Sequence, residues 1–217
     1  MVDDQQDSRR SPLKRRQILD AAVEVFCALG YARTSVDSIA AAAGVGKQTI
    51  YGHFGDKERL FLAAVDDARA YFPKGGGNLV PDTGDPRADL QAAGEEILNV
   101  VLSPKVSALH RLTIAELPHH PELQRAWREG SEPVLDNVIA AYLQRCHRAG
   151  LLDVPDAGRA ARQFTYLMIT EARVATAYGA HQLAGPLLRS IAASAADLIV
   201  RAYRPLASDE DASAPRE

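Results

Sequence analysis

Apolar residues recur at i, i+3 and i+4 spacing from one end of the chain to the other, and no stretch alternates apolar with polar over several residues. That period, in a chain rich in alanine, predicts an all-α fold. A first helix starts near Pro12, where proline suits the first turn, carries Ile18, Ala22, Val25, Phe26 and Leu29 on one face, and ends at Gly30. A second begins at Thr34, whose hydroxyl caps it while Asp37 answers three residues on, and stops at Gly44. A short third helix runs from Lys47 to Phe54 and ends at Gly55. Asp56 then caps a fourth, with Leu60, Phe61, Ala64, Val65 and Ala68, which ends before Pro73.

The segment "PKGGGNLVPDTGDP", residues 73–86, is the most loop-like in the chain and marks the end of one unit. No strand precedes its three glycines and no GxGxxG or GKS/T follows, so it reads as a flexible loop rather than a phosphate cradle. Beyond it the pattern predicts helices over 86–102, 104–117, 121–149, 156–181 and 185–204, with Pro133 kinking or splitting the long one. The expected plan is an arm at 1–12, a helix-turn-helix domain at 13–56, a helical body at 57–204 and a tail at 205–217. Arm and tail have too little apolar content to fold alone and are expected to be disordered.

The stretch "TSVDSIAAAAGVGKQTIYGHF", residues 34–54, has the spacing of a helix-turn-helix. That motif needs a small residue where two helices cross, a turn residue tolerating positive φ, and an apolar anchor on the inner face of the second helix. Ala40, Gly44 and Ile50 supply these, with Ile39, Ala43 and Val45 as further inner contacts. The outer side of the second helix shows Lys47, Gln48, Thr49, Tyr51 and His53, donors and acceptors with hardly an acid among them. A helix entering the major groove requires that polarity, whereas a corner between two core helices does not.

Charge changes the picture only when read along the chain. The net charge is −3, yet residues 8–60 carry nine Lys/Arg against five Asp/Glu, while residues 61–217 carry sixteen against twenty. A segment of net +4 thus precedes one of net −4, and the lead-in "RRSPLKRR" at 9–16 holds five cations in eight residues. The two cysteines, Cys27 and Cys146, lie in separate helical patterns and form no CxxC or Cys/His cluster, which favours a reducing cytoplasm and argues against structural zinc. No stretch approaches a membrane span, and no cofactor is expected.

Residues 15–61, "RRQILDAAVEVFCALGYARTSVDSIAAAAGVGKQTIYGHFGDKERLF", closely resemble the DNA-binding domain of TetR-type bacterial transcriptional repressors, in A-x-x-x-F-x-x-x-G-Y, TSVDSIA, AGV, TIY, HF and DKERLF. The stretch "LHRLTIAELPHHPEL", residues 109–123, resembles the AefR-type ligand-binding half of that family. The resemblance implies a three-helix head, a linking fourth helix, and a larger body that binds a small molecule and dimerises through its last two helices. It implies a palindromic double-stranded DNA operator, and repression relieved by the effector.

By position, the resemblance makes Lys47, Gln48 and Thr49 the opening of the recognition helix, with Gln48 reading adenine in bidentate fashion or making a looser contact to another base. It assigns Tyr51 and His53 to phosphates and Lys57 to the backbone at the start of the fourth helix. Thr34 and Ser35 present hydroxyl and N–H groups to a further phosphate, and Arg9 and Arg10 reach toward a minor groove. Gly46 and Gly52 depart from the family; Gly52 either permits closer approach to the backbone or removes a contact.

In the body, Leu98, Leu102, Leu109, Leu112, Trp127, Phe164 and Met168 are candidates to line a ligand pocket. Thr113, Glu116 and Glu171 are its candidate polar anchors, and an apolar wall with few bases favours a hydrophobic or cationic effector. Leu188, Ile191, Ala195, Leu198 and Ala202 form a stripe on the last helix that suits a four-helix homodimer interface. Two other readings compete. A di-metal bundle enzyme needs Glu-x-x-His twice, but "ELPH" at 116–119 occurs once and is broken by Pro118. A protein-interaction adaptor would have lost the phosphate-facing residues, yet Tyr51, His53 and Lys57 are present.

Overall fold

The computed structural model describes residues 11–69, 79–128 and 134–205, and those residues form ten α-helices and no strand. They are α1 (Pro12–Leu29), α2 (Val36–Ala43), α3 (Lys47–Phe54), α4 (Lys57–Arg69), α5 (Pro86–Val101), α6 (Pro104–Glu116), α7 (Pro121–Arg128), α8 (Val134–Arg148), α9 (Ala157–Ala175) and α10 (Gly185–Ala202). A 3₁₀ turn, Leu117–His119, joins α6 to α7. The arm residues Arg9 and Arg10, the glycine run of the loop, Pro133 and nearly all of the tail lie outside the described residues.

The chain forms two compact units that interleave along the sequence. One comprises Met1–Lys74, Val100–Pro133 and Ala177–His181; the other comprises Gly75–Asn99, Val134–Thr176 and Gln182–Glu217. In the first unit, α1 supplies Ile18, Leu19, Ala22 and Phe26 to a core shared with Ile39 and Ala43 of α2, Ile50 of α3, and Leu60, Phe61 and Ala64 of α4. Leu109 of α6 and Leu123 of α7 complete that core. Each fully buried leucine, isoleucine or phenylalanine among these contributes about 1.5–3 kcal/mol, so the two short helices α2 and α3 are held mainly by α1 and α4 rather than by their own hydrogen-bonded runs.

In the second unit, α8, α9, α10 and most of α5 surround Leu90, Ile97, Leu98, Ile139, Leu143, Phe164 and Met168. Its polar centre is Asp89, which accepts from the Thr83 N–H at 3.0 Å, the Thr83 hydroxyl at 2.8 Å and the Tyr142 hydroxyl at 2.8 Å. Burial pushes the Tyr142 hydroxyl far above its ordinary value, so it stays a donor. At the rim Asp197 of α10 takes Arg87 of α5 and, at 2.8 Å, Arg201 of its own helix.

The helix expected over 156–181 ends at Ala175. The Thr176 hydroxyl folds back onto the Ala172 carbonyl at 2.9 Å, and Ala177, Tyr178 and Gly179 follow with φ of 48°, 58° and 83°. Tertiary contact overrides helix propensity here: Arg111 donates to the Tyr178 carbonyl at 2.8 Å, and a Cβ on Gly179 would lie 2.4 Å from Cβ of Ser107. Glycine alone fits that approach.

Asp136 of α8 is a buried carboxyl with one oxygen accepting from the Thr165 hydroxyl at 2.8 Å and the other, Oδ2, without a hydrogen-bond partner. Burial raises its pKa, against the lowering pull of the Thr165 hydrogen bond and the Arg162 charge. Between the unfolded aspartate value and the raised native value the folded chain binds the extra proton, so this group's contribution to stability falls as pH rises through that window. Asp136→Asn, which cannot ionise, should therefore gain stability relative to wild type as pH rises from 4 to 7.5. Urea midpoints at several pH values check this, and a difference independent of pH excludes it.

Candidate nucleic-acid interface

The start of α2 is capped by Ser35. Its hydroxyl accepts from the Ser38 N–H at 3.0 Å, while the Ser38 hydroxyl accepts from the Ser35 N–H at 3.1 Å. This capping box replaces the expected Thr34–Asp37 pair. Thr34 is buried, with its hydroxyl donating to the Gly30 carbonyl at 2.7 Å, so it is turned away from any phosphate. Ser35 is exposed at the helix N-terminus, where the positive end of the helix dipole favours an anion.

At the other end of α2, Gly44 takes the left-handed conformation at φ 62° that the turn requires, and Val45 N–H bonds back to the Ala40 carbonyl at 3.1 Å. Gln17 of α1 donates to the Ala43 carbonyl at 2.7 Å, closing the last turn from outside the motif. From Gly46 the chain enters α3. Ile50 and Phe54 are buried inward, Lys47, Gln48, Tyr51 and Gly52 are exposed outward, and Thr49 and His53 are half-buried at the flanks. A Cβ on Gly52 would meet nothing within 4 Å, so the protein itself leaves room for a side chain there.

The charge on this face is lower than the sequence suggests. Lys47 Nζ sits 2.9 Å from Asp37 Oδ2, a pair in which both side chains are largely exposed. The hydrogen bond to Asp37 raises the Lys47 pKa, keeping it cationic. In the lead-in, Arg16 pairs with Asp20 and with Asp67, each at 3.1 Å, and Arg15 lies over the Phe54 ring at 5.3 Å. Lys57 donates to the carbonyls of Tyr31 and Thr34 at 3.1 and 3.0 Å. Sequence reasoning missed Ser38, Gln17 and the Asp37–Lys47 pair. Only the S-x-x-S spacing of Ser35 and Ser38 signalled any of them.

The candidate pocket residues divide between the two units. Leu109 and Thr113 are buried and Leu102, Leu112 and Glu116 half-buried in the first. Thr113 is already satisfied by the Leu109 carbonyl at 2.8 Å, and Glu116 lies 3.4 Å from His120 Nε2. Leu98, Phe164 and Met168 are fully buried in the second, and Glu171 is exposed. The side chain of Trp127 lies outside the described residues. Among those residues no cluster of His, Cys, Asp or Glu is arranged to hold a metal.

On α10, Ile191 and Ala195 turn into the second unit's own core and Leu188 is half-buried, whereas Leu198 and Ala202 are exposed. The stripe read from spacing mixed two faces, because this helix is apolar on more than one side. Other large apolar residues exposed on these two helices are Leu187 of α10 and Tyr166, Leu167 and Val174 of α9.

A short helix anchored inward by two apolar side chains, showing polar groups outward and following a left-handed glycine turn, defines a helix-turn-helix protein. The chain belongs to the TetR family of bacterial regulatory proteins. That family's pattern matches residues 18–64, and the C-terminal domain of AefR-like transcriptional repressors matches residues 88–205. The fatty acid metabolism regulator protein of Bacillus subtilis is 32% identical over 168 residues, 73% of this chain and 80% of that one. A TetR-family transcriptional regulator from Mesorhizobium loti superposes with a TM-score of 0.76 at 29% identity, covering 89% of this chain and 98% of that one. The flavonoid-responsive regulator FrrA superposes at 0.72 with 25% identity, covering 91% and 100%.

The protein is thus a ligand-responsive, DNA-binding transcriptional regulator. Members of the family are regulators rather than enzymes, and bind operator DNA, usually as dimers and with small-molecule effectors. No described helix is long and apolar enough to cross a membrane.

Asp37 places an exposed carboxylate beside α3 and occupies the Lys47 ammonium. Asp37→Asn should tighten binding to operator and random duplexes alike, by about two- to tenfold, and steepen the salt dependence. Fluorescence anisotropy at two salt concentrations reads both, and unchanged affinity on random DNA counts against the idea.

Proposed function

We propose that the protein acts in the cytoplasm as a homodimeric repressor of a palindromic operator and leaves it when a hydrophobic small molecule enters the helical body. The observation that carries the DNA reading is the polarity of α3: Ile50 and Phe54 are buried while Lys47, Gln48 and Tyr51 face outward. Lys47, Tyr51 and Ser35 are the candidate phosphate contacts, Thr49 and His53 flank them, and Gln48 is the candidate base reader. The AefR-like repressor match supports repression over activation. The likeness to a flavonoid-responsive regulator and to a fatty acid metabolism regulator supports a hydrophobic effector.

The decisive experiment compares binding of the purified protein to DNA flanking its own gene with binding to random DNA of equal length, at two salt concentrations. A preference that survives the higher salt supports a specific regulator. Equal binding abolished by salt leaves only the phosphate term and favours an adaptor. Gln48→Ala should relax discrimination at particular base pairs by about 1–3 kcal/mol while leaving random-DNA affinity in place. Equal loss on both duplexes removes its reading role.

The exposed apolar face of α9 and α10, with Tyr166 and Val174 each 60% and Leu198 52% exposed, is the candidate dimer surface. Leu198→Asp should convert the dimer to monomer in analytical ultracentrifugation without loss of helical content. A variant that stays dimeric places the interface elsewhere.

A further inference from the structure

The lysine that opens α4 is held by backbone carbonyls of the protein itself. Its ammonium has three donors, and two of them lie on backbone carbonyls, Tyr31 O at 3.1 Å and Thr34 O at 3.0 Å. The Tyr31 ring lies beneath it, 4.3 Å from Nζ to the ring centroid. These are charge-assisted bonds, roughly twice as strong as neutral ones, and an ammonium that moved to a phosphate would leave both carbonyls behind.

The turn it holds is the one that aims α2. Gly30 N–H bonds to the Phe26 carbonyl at 2.8 Å, Thr34 N–H to the Tyr31 carbonyl at 3.2 Å, and the Thr34 hydroxyl to the Gly30 carbonyl at 2.7 Å. The Tyr31 ring is fixed by Phe61 at 5.0 Å and by the edge of His120 at 4.5 Å. Ser35, the exposed cap of α2, follows this turn directly. By contrast, Lys47 has its ammonium on the outer face, paired only to a side chain that salt or a phosphate can displace.

We propose that Lys57 is a positioning residue of the DNA-binding head: it braces the 31–34 turn through two carbonyls and the Tyr31 ring, and so orients the N-terminus of α2, without itself neutralising a phosphate. The proposal deepens the DNA-binding reading above and rests on it for its functional half. Its structural half stands on the geometry of the free protein.

Two readouts test it. Hydrogen exchange across residues 31–38 of the DNA-free protein should quicken at least tenfold in Lys57→Met, which keeps the stem over Tyr31 but has no donors. Lys57→Arg should do the same, because a planar guanidinium does not replace a compact ammonium between two carbonyls. On DNA, both variants should lose at least tenfold in operator affinity with the slope of log K against log salt unchanged. Wild-type exchange with a slope shallower by about 0.9, the signature of one lost phosphate contact, overturns the proposal. Wild-type exchange and affinity in Lys57→Arg also overturns it. Should Lys57→Met fail to fold, Lys57→Arg decides alone. A wild-type protein that binds no duplex specifically sinks the DNA reading while the exchange experiment still decides the brace.

Discussion

The two helices of the helix-turn-helix are each eight residues long, too short to be stable in water as isolated helices, so their geometry is borrowed from the core beneath them. The contact that supplies it is the aromatic cluster of Phe26, Tyr31 and Phe61. Phe26 meets Phe61 edge-on at 5.1 Å and stacks with Tyr31 at 5.8 Å, joining the end of α1, the following turn and α4 in one apolar block. Ile39, Ala43, Ile50 and Phe54 then seat α2 and α3 on that block. Aromatic pairs of this kind add about 0.5–1.5 kcal/mol beyond their buried area, and they fix direction as well as energy. The backbone ties of Gln17 and Lys57 matter because this core holds the segments they join.

Charge on the head is organised by the same frame. Several cations of the basic lead-in and of α3 are engaged with acids, carbonyls or rings of the protein: Arg16 with Asp20 and Asp67, Arg15 with Phe54, Lys47 with Asp37. Exposed pairs such as Lys47–Asp37 are weak and open to exchange with phosphate, so they moderate non-specific attraction more than they stabilise the fold.

The second unit shows how a helical body carries polar groups inside an apolar core. Asp89 is buried with three donors converging on it, and that set joins the start of α5 to the middle of α8. Asp136, on the same helix, has one oxygen satisfied and one not. A satisfied buried carboxylate specifies the fit of its helices, while a half-satisfied one lowers stability once it ionises.

Much of the architecture follows from the sequence alone. The period of 3.6, Pro12 and Gly30 at the ends of α1, Gly44 in the turn, and Asp56 ahead of α4 are local signals, and local backbone chemistry produces the elements they mark. The outward identity of Lys47, Gln48 and Tyr51 is local too, because two buried anchors four residues apart, Ile50 and Phe54, set the rotation of an eight-residue helix. What tertiary structure decided are the questions with more than one local answer. Thr34 and Ser35 are equally good caps by type, and burial of Thr34 against Gly30 leaves the role to Ser35. On α10 the spacing allows two apolar faces, and its neighbours in the second unit take Ile191 and Ala195 while leaving Leu198 outside. The turn at Tyr178 and Gly179 is met by Arg111 and Ser107, about seventy residues away in the chain, and Lys57 finds its carbonyls more than twenty residues back. Spacing reports which residues share a helix face, but only the folded chain determines which face is covered and which cation is already held.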